Sequence, residues 1–171
     1  MTSASPVASS TTEREFAGRQ APWSNEAEQA VLGAMLLDQD AALKAAEFLD
    51  DTMFYREGHR LLFRAMIALT ERGDVIDPVT LRDELARRGD LDRAGGIEYV
   101  GTLIDVVPTA ANVEYHARIV RDKAVLRRLV EAATGIIQDV YEGHTAAGEV
   151  LDNAEHRVFQ VAQFRRAEEF T

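Results

Sequence analysis

Cysteine is missing from all 171 residues, which excludes a disulfide scaffold, a thiolate zinc site and a cysteine nucleophile. The five serines all lie at or before Ser24, so the folded part has no serine nucleophile either. Lysine is scarce: only Lys44 and Lys123 occur, and neither follows a glycine. A phosphate-binding loop ends in Gly-Lys so that backbone amides and an ammonium cradle the phosphates, and nucleotide hydrolysis of that kind is therefore excluded. His59, His116, His144 and His156 form no His-x-x-x-His pair, and no Glu precedes a His by three, so no metal site is expected. No apolar run approaches the ~18 residues of a membrane span, and the first residues lack the basic and apolar regions of a secretory leader. A soluble, cytoplasmic protein without membrane contact is expected. The net charge of −10 argues against nonspecific nucleic-acid binding through global charge.

What is present is enough apolar material for a core, 46% of the residues. Residues 1 to 22 are rich in Ser, Thr, Ala and Pro, with one short apolar patch around Phe16, and read as a disordered tail. From Trp23 the punctuation becomes helical. Ser24 or Asn25 can cap a first helix, with Glu28 reaching back to Asn25 in a capping box and Ala30, Val31, Ala34 and Met35 on one face. A short helix from about Ala41 to Leu49 follows. Leu62, Phe63, Met66, Ile67 and Thr70 place a third helix ahead of Gly73. Asp77-Pro78 starts a fourth, with Leu81 and Leu85 inside and Gly89 at its end. Tyr99, Val100, Leu103 and Ile104 mark a fifth before Pro108, and Gly95-Gly96 reads as the turn that precedes it. No segment alternates with period two, so the fold class is all-α.

After Pro108 the pattern lengthens. From about Ala111 to Glu142 there is no proline, and Val113, Ala117, Val120 and Ala124 share a face. After a phase shift Leu126, Leu129, Ala133, Ile136 and Val140 continue the stripe up to Gly143. Thr145 can cap a last helix whose seam is Leu151, Ala154, Val158 and Val161. The chain then divides into a tail over 1–22, a helical head over 23–108, a helical hairpin over 109–166 turning at Gly143-His144, and the start of a linker at 167–171. A helix of ~30 residues is ~45 Å long, whereas a head of ~85 residues has a radius of gyration near ~12 Å, so the hairpin is expected to project. Two helices leave one side of each seam wet, and Val130, Ile137, Tyr141, Val150 and Phe159 lie off it. A second hairpin is the simplest cover, so Leu151, Ala154, Val158 and Val161 are the expected dimer interface.

No nucleophile, base and oxyanion site assembles, so no catalytic residue is expected. Arg118, Arg121, Lys123, Arg127 and Arg128 read as a solvated helix face, with a contact to nucleic acid or an acidic partner as the alternative; a stand-alone DNA-binding regulator would use residues 118 to 128. An enzyme using carboxylates is a third reading, although Asp50-Asp51 and Glu168-Glu169 look like solvated termini.

Pro22-Trp23-Ser24-Asn25-Glu26-Ala27-Glu28-Gln29-Ala30-Val31-Leu32-Gly33, Asp51 to Phe54 with Tyr55, Gly89 to Tyr99, Pro108 to Asn112 and Arg157-Val158-Phe159 follow one another in an order that resembles the N-terminal domain of the DnaB-type replicative DNA helicases. The resemblance spans about Pro22 to Arg166. It implies a non-catalytic collar in which hairpins pair, six domains form a trimer of dimers, and the C-terminal domain of primase docks. It also implies a RecA-like ATPase domain beyond a linker, with ATP and Mg bound, and DNA reached, only in the full-length ring; no cofactor is expected in this chain, whose end at Thr171 reads as a truncation. For primase docking the candidates are Tyr99, with apolar area and a hydroxyl handle, Val130 and Val150, which fall beside the seam, and Ile136, which also fits the seam.

Overall fold

The computed structural model describes residues 19–107, 109–143 and 146–166. Residues 1–18 of the expected tail, Pro108, His144, the Thr145 cap, the Glu168-Glu169 pair and the expected linker start at 167–171 lie outside the described residues. Within them the chain is all-α: α1 (Asn25–Leu37), α2 (Gln39–Phe48), a 3-10 turn (Asp51–Met53), α3 (Glu57–Glu71), α4 (Pro78–Arg88), α5 (Gly96–Val106), a second 3-10 turn (Ala110–Asn112), α6 (Val113–Glu142) and α7 (Ala147–Arg166).

Local chemistry explains most boundaries. Ser24 caps α1, its Oγ accepting from the Ala27 amide at 3.1 Å. Asp38 both terminates α1 and caps α2, its side chain accepting from the Asp40 amide, so α2 begins at Gln39 rather than Ala41. Asp77 and Thr80 form a reciprocal capping box around Pro78. Gly73, Gly89, Gly95, Gly96 and Gly143 all take positive φ, which is why the chain can turn where the sequence places them. The expected capping box at Glu28 does not form. The carboxylate of Glu28 turns inward instead and is 1% exposed.

Helix α1 is the hub. Ala27, Glu28 and every residue from Ala30 to Leu36 are buried, because α2, α3, α5 and α6 all pack around it. Helix α5 comes so close at Gly33 that a Cβ there would lie 2.4 Å from the Leu103 carbonyl oxygen and 2.6 Å from Val107 Cγ2. On the far side of the head, Glu84 of α4 is 3% exposed. Its carboxylate accepts from Arg87 at 2.7 Å, Arg88 at 2.8 Å and Arg72 at 3.0 Å. The hydrogen bonds from Arg87 and Arg88, aided by Arg72, outweigh the opposing effect of burial and hold this carboxyl far below the usual carboxylate range.

Helix α6 departs from the expected hairpin seam. Val113, Ala117, Val120 and Ala124 are buried, none more than 4% exposed, but α1 and α2 of the head cover that half of the helix. Only beyond Ala124 does α6 leave the head. There its buried residues are Ala132 and Gly135; of the residues expected to continue the seam Ile136 is half-buried and Ala133 exposed, while Leu126 and Leu129 at 44% and Val140 at 56% exposure turn outward. Small residues on the inner face let α7 approach, and the bulky ones occupy a different face of the same helix.

Two stability predictions follow from this packing. Gly33→Ala is expected to cost about 1–3 kcal/mol, because the added methyl meets backbone rather than a yielding side chain; urea unfolding of the variant measures it. Glu84 has a lowered folded-state pKa, so its contribution to stability is complete above the unfolded carboxylate value of about 4.3 and is withdrawn as pH falls below it. Thermal melts followed from neutral to acid pH are expected to fall less steeply for Glu84→Gln than for the parent.

Candidate functional site

Two groups of side chains stand out among the described residues. The first lies in the head. Glu28 Oε2 accepts from the Tyr55 amide at 3.0 Å and Oε1 from the Arg56 amide at 3.4 Å. His59, fully buried, places Nδ1 2.8 Å from Glu28 Oε1 and Nε2 2.5 Å from the Tyr99 hydroxyl. That hydroxyl oxygen also accepts from Gln29 Nε2 at 3.1 Å and Arg56 Nη1 at 3.3 Å. With two N–H donors on the oxygen, the hydroxyl hydrogen is directed to His59 Nε2, and Nδ1–H donates to Glu28. The chain Tyr99–His59–Glu28 therefore links α5, α3 and α1, and the Tyr99 ring stacks on the imidazole at 5.8 Å between centroids.

The second group is the free part of the hairpin. Leu126, Leu129, Val130, Ile137, Val140 and Tyr141 are exposed on α6, on one broad side of the helix by the 100° step per residue. No residue of α7 is buried. Its inner face carries half-buried Val150, Ala154, Arg157, Val161 and Phe164, and Leu151, Val158 and Phe159 are 59%, 47% and 52% exposed. Arg157 lies against Gly135, where a Cβ would be 2.3 Å from Nη1, and pairs with Asp139 at 3.3 Å.

The expected site residues are thus distributed over three places. In the expected dimer interface, Leu151 and Val158 face outward and Ala154 and Val161 lie on the inner face. Val150 shares that inner face, Ile136 is half-buried on α6, and Val130 is exposed. The Gly135–Arg157 contact sets Val150 level with about residue 142, so Val130 and Val150 are separated by about 18 Å along the helix axis. Tyr99 is on the head, and its hydroxyl is engaged internally. The Glu28–His59–Tyr99 chain is what sequence reasoning missed. Its signal was a Glu just ahead of the apolar run Ala30 to Leu37, at a position where its spacing from Asn25 offered a simpler local explanation.

The basic stretch does not gather on one face. Arg118 pairs with Glu114 at 2.8 Å and lies over the Phe48 ring. Arg121 donates to the Arg165 carbonyl, Arg127 to the carbonyls of Pro22 and Met53, and Arg128 stacks on Phe164. Pro22, placed at the end of the expected tail, is thereby tied to α6. Among the described residues no group of three His, Asp or Glu side chains is arranged to hold a metal ion, and no helix is long and apolar enough to cross a membrane.

Such an arrangement defines a class: an all-α domain in which a helical head supports a hairpin with an outward apolar face. Residues 20–122 match the model of the DnaB-like helicase N terminal domain, and the chain belongs to that family. It is 46% identical over 155 residues to the replicative DNA helicase DnaB of Geobacillus stearothermophilus, covering 91% of this chain and 34% of the relative. With the corresponding protein of Mycobacterium leprae it is 47% identical over 155 residues, covering 90% and 26%. The crystal structure of the N-terminal domain of DnaB helicase from Mycobacterium tuberculosis superposes with a TM-score of 0.79 at 48% identity, covering 83% of this chain and 99% of that one. The chain spans about a third or less of the curated relatives it matches, and the part matched is their N-terminal domain.

Loss of the head network is expected to be costly. His59→Ala removes one buried partner of Glu28 and leaves a cavity, for which about 3 kcal/mol of lost stability is expected. Tyr99→Phe leaves His59 Nε2 unpaired and is expected to cost about 1–2 kcal/mol. Denaturant unfolding of both variants checks the order of these effects.

Proposed function

We propose that this chain is the non-catalytic collar domain of a replicative DNA helicase, pairing through its hairpin into dimers, contributing to a ring that is a trimer of dimers, and docking primase during DNA replication. One observation carries the reading: a hairpin that, in a domain of this family, leaves Leu126, Leu129, Val130, Ile137, Val140 and Tyr141 of α6 and Leu151, Val158 and Phe159 of α7 exposed. Monomeric soluble proteins rarely leave so long an apolar face uncovered, and a second copy of the same hairpin is the simplest cover. The proposed contact uses Leu151 and Val158 on its surface, with Ala154 and Val161 beneath them, and the outward Ile137, Val140 and Tyr141 of α6 around them.

For primase, support comes from a more distant structure, that of a DnaB-like replicative helicase and its interactions with primase, which shares the fold at a TM-score of 0.65 and 23% identity. Val130 is the strongest candidate contact, because it is exposed and lies off the inner face. Ile136 and Val150 contribute from partly covered positions, and Tyr99 contributes ring area rather than a free hydroxyl. ATP and Mg belong to the whole helicase, as does engagement of DNA. The internal use of the arginines at 118, 121, 127 and 128 gives no support to a stand-alone DNA-binding role.

Light scattering of the purified chain is expected to give a dimer or a larger even-numbered assembly, and Val158→Asp, which places a charge on the apolar face, is expected to give a folded monomer. A monomeric parent at tens of micromolar would refute pairing. Calorimetric titration of primase's C-terminal domain is expected to show about 5- to 30-fold weaker binding for Val130→Ala, with helicity and mass unchanged.

A further inference from the structure

We propose that Arg127 is a positioning residue: its guanidinium fork clasps the head and sets the direction in which the free half of α6 leaves it, and so how the hairpin is presented to a second copy of the chain. The proposal rests on the assembly role given above. Arg127 lies one helical turn beyond Ala124, the last residue of the face that α1 and α2 cover. Its two terminal nitrogens diverge to two carbonyls from separate parts of the chain. Nη1 donates to Pro22 at 2.8 Å and Nη2 to Met53 at 2.7 Å. Pro22 leads into α1, and Met53 closes the 3-10 turn ahead of α3, so one side chain ties two entries of the head to the point where the hairpin departs.

The surroundings reinforce the clasp. The guanidinium lies 5.4 Å from the centre of the Tyr55 ring, and Tyr55 in turn contacts Trp23 at 5.0 Å. Burial lowers the Arg127 pKa, against the opposing influence of Glu28 and Tyr55. An arginine ordinarily titrates so far above neutrality that it keeps its charge. A planar fork with divergent N–H groups can hold two carbonyls at once; a lysine, a point charge on a flexible stem, cannot hold both in fixed directions. The clasp sits at the edge of the apolar core rather than inside it, because the residues packed between α6 and the head are those from Val113 to Ala124. Removing it is therefore expected to release a direction rather than the fold.

The experiment uses the full chain, whose lack of cysteine makes introduced thiols the only labelling sites. Spin labels are placed at exposed positions on the head and near the hairpin tip, Ala86→Cys and Asn153→Cys, and the distance distribution is read by double electron–electron resonance. An excess of unlabelled chain isolates the distance within one molecule, so the result does not depend on assembly. Arg127→Met is expected to broaden and shift the distribution while far-UV circular dichroism is retained, and Arg127→Lys is expected to restore it only in part. Unchanged distributions in both variants overturn the proposal. If Arg127→Met loses helicity, Arg127→Lys decides, and loss of helicity in both also overturns it, because Arg127 would then belong to the folding core. Failure of the assembly reading appears separately, as a monomeric mass for the unlabelled parent.

Discussion

A carboxylate taken out of water determines how the head is built. Glu28 sits on the helix that four others surround, and burying its charge costs several kcal/mol unless every oxygen finds a donor. The donors come from the approach to α3 and its first turn: the amides of Tyr55 and Arg56, and the imidazole of His59. Helix α3 has no side-chain cap of its own; Glu28, from another helix, accepts from the amides of its N-cap residue Arg56 and of Tyr55 just before it, and the positive end of α3 meets a negative group. His59 then passes the constraint to Tyr99 on α5. The relative placement of α1, α3 and α5 is thus specified by directional bonds as well as by shape.

The hairpin obeys a different rule. On α6 its inner contact is made by the small Ala132 and Gly135, with Arg157 laid across Gly135 and the Arg128 guanidinium stacked 3.6 Å from the centre of the Phe164 ring. The outer face of α6 holds Leu126, Leu129, Val130, Ile137 and Val140. A helix with so much of its bulk on the outside leaves apolar area that its hairpin partner does not cover, and this division of labour within α6 underlies the assembly reading.

How much of this was legible in the sequence depended on range. Ser24, Asp77-Pro78, Gly89 and Gly143 act within one turn of their own position, and the chain starts or stops helices there. The four-three-four spacing of Val113 to Ala124 identified the face of α6 that is buried. It could not say that the head, rather than α7, covers that face, because periodicity reports that a side is covered and not by what. Beyond Ala124 the sequence offered two candidate faces, one large and apolar and one small, and size favoured the wrong one for the inner contact. Glu28 was misread for a related reason: its partners lie 27 to 31 residues away, and a local explanation was available. The same separation hid Arg127, whose acceptors are 74 and 105 residues distant and are backbone carbonyls with no mark in composition.

Helix α6 is continuous across the junction between docked and free halves, and this gives the domain a lever arm. From Ala124 to Glu142 the free portion extends about 27 Å at 1.5 Å per residue. By simple geometry on that rise, a tilt of about 5° at the fulcrum carries the tip about 2 Å, comparable to the depth by which side chains interlock across a helix pair. Angular tolerance at the root therefore becomes positional error at the far end, magnified along a rod with no proline to absorb it.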